Sequence, residues 1–109
     1  MTDKIQVQTS SGNVFADMKL PNSEELLVKA ELANQISDII ANRELTQTEA
    51  ANILGVDQPK VSALLRGKLS GFSVERLFRF LNALGSHVEI RIVPSSHPGE
   101  DAQTSVVSA

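Results

Sequence analysis

At 109 residues, 41% of them hydrophobic, the chain has the length of one small domain with a modest core. It has no cysteine, which excludes a disulfide framework and a thiolate metal site, and its net charge of −3 excludes a uniformly basic surface. No basic-then-apolar leader opens the sequence and no apolar run approaches about 18 residues, so a cytoplasmic protein with no membrane segment is expected.

Residues 1–12 are polar and aperiodic, end in Ser10, Ser11 and Gly12, and read as a flexible arm. Residues 13–20 include Val14, Phe15, Met18 and Leu20, apolar enough to dock on the body, before Pro21 breaks the chain. A first helix is expected from Asn22 or Ser23, where Asn22 and Glu25 match a capping box and acids occupy the first turn. Leu26, Ala30, Ala33, Ile36 and Ile40 recur at helical steps as an inward stripe, widened by Leu32 and Ile39.

Thr46 stands three residues before Glu49, the Thr-x-x-Glu signature that opens a second helix. Ala50, Ile53 and Leu54 face inward there, while Thr48, Glu49 and Asn52 point away. Gly55 supplies a positive φ at the turn, Val56 anchors it, and Asp57 caps a third helix that tolerates Pro59 in its first turn. Val61, Leu64 and Leu65 form the buried side of this helix. At about 100° per residue, Gln58, Pro59, Ser62, Ala63 and Arg66 lie opposite, with Lys60 on the flank. Gly67 ends the helix, and Lys68 to Phe72 is a loop with Leu69 and Phe72 tucked inward. Ser73 caps a fourth helix, with Val74, Leu77, Phe78, Leu81 and Leu84 inside and Gly85 as terminator.

Residues 87–93 alternate polar and apolar, with Val88, Ile90 and Ile92 on one face, a strand pattern closed by Pro94. One strand cannot satisfy its own backbone, and no second strand has equal signal. The expectation is an antiparallel pair across a twofold axis, with Val88, Ile90 and Ile92 as the dimer interface. Packing on the N-terminal segment of the same chain is the alternative. Residues 94–109 are Ser- and Pro-rich and read as a disordered tail.

Charge divides along the chain. Residues 1–56 carry eight acids against four bases, whereas residues 58–79 carry Lys60, Arg66, Lys68, Arg76 and Arg79 against Glu75 alone. The local field, rather than the total charge, attracts phosphate. Two short helices joined by a glycine suit either a plain bundle or a helix-turn-helix. The doubled caps and the acid-free outward face favour the second reading, with the third helix in the major groove of duplex DNA. Small Ala51 and Gly55 suit a close helix crossing, which Val61 and Leu64 then lock. Gln47 is placed to meet a phosphate, Gln58 to pair with adenine, and Lys60 or Arg66 to meet guanine or phosphate. The expected DNA-binding set is Gln47, Gln58, Pro59, Lys60, Ser62, Ala63, Arg66 and Lys68. For Arg76 and Arg79, phosphate contact competes with the ordinary role of an exposed helix arginine.

The stretch LTQTEAANILGVDQPKVSALLRGK, Leu45 to Lys68, resembles the XRE (lambda-repressor/Cro-like) helix-turn-helix family through Gln47, Ala51, Gly55, Val61 and Leu64. A wider match over residues 13–93, from NVFADMKL through GSHVEI, resembles the subgroup that includes HigA-type antitoxins. The resemblance implies a mainly α, four-helix domain in a homodimeric, nucleoid-associated operator-binding protein. Such a protein often represses its own operon and sometimes neutralises a cognate, basic, RNA-cleaving toxin. Two departures stand out. The family continues into a fifth helix where this chain has a strand pattern, and Pro59 replaces a small polar residue, so base preferences do not carry over.

Catalysis is not expected. His87 and His97 lack metal-ligand spacing, adjacent Glu24 and Glu25 diverge on a helix, and no Gly-rich phosphate loop is present. No cofactor or metal is implied. With no Trp or Tyr and four Phe, the chain is poorly equipped to stack single-stranded bases.

Overall fold

The computed structural model describes residues 22–95 and 102–108. The expected arm of residues 1–12 and docking segment of residues 13–20 lie outside this range, as does His97. Four helices follow in order: α1 (Asn22–Asn42), α2 (Gln47–Leu54), α3 (Gln58–Leu65) and α4 (Val74–Ala83). α1 packs chiefly on α4 and α2 on α3, while α1–α3 and α2–α4 contacts close the bundle. No helix among the described residues is long and apolar enough to cross a membrane.

The core draws on every helix. Ile36, Val61, Leu64 and Leu77 are at most 1% exposed, and Ala50 is fully buried where α2 must approach closely. Phe72 in the α3–α4 loop meets Phe80 edge-to-face, with ring centroids 5.9 Å apart and planes at 73°, an arrangement favoured by the aromatic quadrupoles. Phe80 is itself buried, a core position absent from the expected inward face of α4.

The expected inward stripe of α1 holds from Leu32 to Ile40 and departs only in the first turns. Its buried line is Val28, Leu32, Ala33, Ile36 and Ile40, while Leu26 is 51% exposed and Ala30 also faces outward. Residues two apart are about 200° apart on a helix, so a face that buries Val28 must release Leu26 and Ala30. Lys29 accompanies Val28 inward, laying its stem along the body with Nζ 3.6 Å from Glu25 Oε2.

The helix ends follow local chemistry. At the C-terminus of α1, Glu44 N–H donates to Ala41 O and Leu45 N–H to Ile40 O, both at 3.0 Å, which closes a Schellman motif. Its left-handed position is held by Glu44 at φ 55°, where glycine is the usual occupant. Arg43 Nη1 donates to Leu84 O at 3.1 Å and ties this end to the end of α4.

Residues 87–93 form no strand among the described residues, which corrects the expectation of a β element within the fold. A ladder needs a second backbone edge, and no described segment of the chain supplies one. The segment nevertheless keeps a two-residue alternation: Val88 and Ile90 are half-buried, and Glu89 and Arg91 are exposed. Arg91 Nη2 meets Glu89 Oε2 at 2.8 Å, as side chains two residues apart on one strand face would.

Residues 102–108 lie against α1. Thr104 N–H donates to Glu24 Oε2 at 2.9 Å, Gln35 Nε2 to Ser108 Oγ, and Val106 packs on the core.

Candidate nucleic-acid interface

The interface is built from the caps outward. Thr46 N–H donates to Glu49 Oε1 at 2.8 Å and Glu49 N–H returns to Thr46 Oγ1 at 3.1 Å, the reciprocal box read from the sequence. Glu49 is thereby engaged at the positive end of α2. Gly55 turns the chain at φ 73°, with Gly55 N–H donating to Ala51 O at 2.8 Å. A Cβ at Gly55 would meet nothing within 4 Å, so this glycine serves backbone conformation and not close helix crossing, as expected of it. Ala50 and Ala51 are the small residues that α2 buries.

Asp57 Oδ1 then accepts from Lys60 N–H at 3.1 Å and opens α3, with Pro59 in the first turn. Val61 and Leu64 pin the helix to the core, while Leu65 is only half-buried. Gln58, Pro59 and Arg66 are exposed on the opposite side and Ser62 is partly so, whereas Ala63, expected on that face, is half-buried and packs against the core. No acid occurs between Gln58 and Lys68. Gln47 is exposed on the first turn of α2, across the turn from Gln58, whereas Arg66 and Lys68 stand at the far end of α3. Eight residues at 1.5 Å place those ends about 12 Å apart along the axis.

The basic residues take distinct positions. Lys60 is half-buried and leans toward the α3–α4 loop, its Nζ 5.3 Å from the Phe72 ring centroid. The Arg76 guanidinium carbon lies 6.0 Å from that ring and 5.6 Å from the Phe80 ring. Two cations therefore share one aromatic floor at the junction of α3, the loop and α4. Arg79 is exposed but bonded to Glu75 at 2.9 Å, so part of its charge is offset within its own helix.

One polar contact escapes a reading of the helix periods. Gln58 Nε2 donates to Thr48 Oγ1 at 2.9 Å, linking the first turns of α2 and α3. Periodicity assigns Thr48 only to the outward side of α2. The ten-residue step across the turn is a tertiary relation and leaves no periodic signal.

A family described as a helix-turn-helix domain matches residues 14–93, most of the chain. A solved structure described as an XRE family transcriptional regulator is 47% identical, covers 82% of this chain and 100% of its own, and superposes with a TM-score of 0.78. The chain belongs to the XRE helix-turn-helix family. No curated protein matches it. For an XRE member, α2 and α3 are the motif itself, with α3 in the position of the recognition helix.

Proposed function

We propose that this XRE member is a sequence-selective, double-stranded DNA-binding transcription regulator that acts as a homodimer on an operator. The observation that carries the proposal is the outward face of α3, which is polar, free of acids and presented by two capped helices. In this reading α3 lies in the major groove. Gln58 reads a base edge, Pro59, Ser62 and Ala63 provide close contact, and Gln47, Lys60, Arg66 and Lys68 hold phosphate or guanine. One such face specifies few base pairs, and a second copy doubles the site.

The dimer forms through residues 87–93, with Val88, Ile90 and Ile92 facing the mate. Support comes from Ile92 and Val93, which are 48% and 71% exposed in the single chain, although Val88 also packs on the chain's own core. The regulator represses its own operon and serves as the antitoxin for a basic, RNA-cleaving toxin. This finer role follows the resemblance to HigA-type antitoxins. It is supported by α1, whose acidic Glu31 and Asp38 accompany exposed Leu26 and Leu27, while Glu24 and Glu25 are engaged by Thr104 and Lys29.

Footprinting on the upstream region of the gene, with and without the product of the neighbouring reading frame, tests the whole proposal. A protected site whose occupancy falls steeply with added salt is expected, because released counterions drive phosphate binding. Replacing Gln58 and Lys60 with Ala should abolish selectivity for the site while preserving the helical signal. Unchanged selectivity in that variant removes α3 from the reading role. A footprint indifferent to the neighbouring product leaves a stand-alone repressor.

A further inference from the structure

Gln58 and Thr48 sit on different helices, yet their side chains are joined in the free protein by the 2.9 Å hydrogen bond from Nε2 to Oγ1. We propose that Thr48 is a positioning residue for base reading: it holds the Gln58 amide in the orientation that accepts adenine and refuses guanine. The inference rests on the reading of α3 as the groove-facing helix and deepens it.

A glutamine amide carries one acceptor oxygen and two N–H donors. The bond to Thr48 occupies one donor and leaves one acceptor beside one donor. That remaining pair complements adenine in the major groove, which offers N7 as acceptor and N6–H as donor. Guanine offers two acceptors there, O6 and N7. A free amide can turn both N–H groups toward them, whereas an amide with one N–H committed satisfies only one. The hydroxyl of Thr48 thus subtracts a donor, and the subtraction is what separates the two purines.

The same contact lowers the cost of ordering. A glutamine side chain loses more rotamer entropy on fixing than most others. Here much of that loss is incurred before DNA arrives, so less of the contact energy is consumed on binding. Thr48 suits this task because its β-branched side chain has few χ1 choices. It is exposed and lies outside the buried core, so its hydroxyl can be removed without opening a cavity.

The test begins with duplexes selected from a random pool by the full-length wild-type chain. Affinities of wild type, Thr48→Val, Thr48→Ser and Gln58→Ala are then measured on the selected duplex and on a set with each base pair changed in turn. Wild type is expected to prefer adenine over guanine at one position by about tenfold or more. Gln58→Ala should lose that preference. Thr48→Val should lose most of it through improved binding to the guanine duplex, keep its preferences at other positions and retain its unfolding midpoint. Thr48→Ser, which restores the acceptor, should recover the preference. If Gln58→Ala loses the preference and Thr48→Val keeps it, Thr48 positions nothing and the proposal fails alone. Uniform weakening of Thr48→Val on every duplex assigns it a structural role and also overturns the proposal. If Gln58→Ala keeps every preference, or no duplex is enriched from the pool, the groove-reading role of α3 fails as well.

Discussion

The turn between α2 and α3 and the segment that follows α4 meet the demand for backbone hydrogen bonding in opposite ways. Around α2 and the turn into α3, every cap is local: Thr46 with Glu49, Gly55 N–H to Ala51 O, and Asp57 with Lys60 N–H. No partner chain is needed. Residues 87–93 have an equally regular apolar pattern but no strand edge to join among the described residues. A helix closes its bonds within about four residues, whereas a strand borrows them from elsewhere. Residues 46–66 should therefore hold their form in a monomer, and residues 87–93 should change state with concentration.

The comparison can be broken first at the core beneath the motif. Leu64 is 1% exposed, and Leu64→Ala should cost about 2–5 kcal/mol, read by urea unfolding, with loss of DNA binding at growth temperature. A cost below 1 kcal/mol would show that α3 is not locked onto the bundle. Next in size is Gly55→Ala, with an expected loss of about 1–2 kcal/mol from the left-handed backbone alone. Because a Cβ there meets no neighbour, Gly55→Asn should recover part of the loss, since asparagine tolerates this conformation better. Equal losses for Ala and Asn would point to crowding.

Glu44→Gly runs the same chemistry in reverse. It should raise stability by up to about 1 kcal/mol, because glycine adopts positive φ without the Cβ penalty. An unchanged or lowered unfolding midpoint would show that Glu44 contributes more than its backbone costs. The smallest effect on the helical body belongs to Ile90→Asp, within about 0.5 kcal/mol at dilutions where both chains are monomeric. The same substitution should abolish the dimer in sedimentation and weaken operator binding. A dimer that survives it excludes the ribbon of residues 87–93.

How much of the fold was legible depended on the range of the interaction. The caps at Thr46, Asp57 and Ser73 are chemical events within three residues, and each accepts the backbone N–H it should. The outward face of α3 was equally plain, since Val61 and Leu64 leave it little choice of phase. The first turns of α1 were not, because Leu26, Leu27 and Val28 stand in succession and offer competing apolar faces. Tertiary packing decides among them. Phe80 reads as core or interface by its type but falls off the periodic inward face of α4, because its burial completes a pair with Phe72 in a loop. Lys60 was assigned to the flank and is there, but Phe72 and Arg76 beside it define a junction that periodicity does not reveal. Residues 94–109 have the composition of a tail, and the apolar Val106 that packs on the core carries no periodic cue.

The contact of residues 102–108 with α1 makes this segment a tethered competitor. A ligand held by its own polypeptide acts at an effective concentration in the millimolar range. Anything that docks over Glu24 or Gln35 must first displace Thr104 or Ser108, so its apparent affinity is divided by the fraction of chains with that face uncovered. A chain ended before residue 102 would offer the face at full strength.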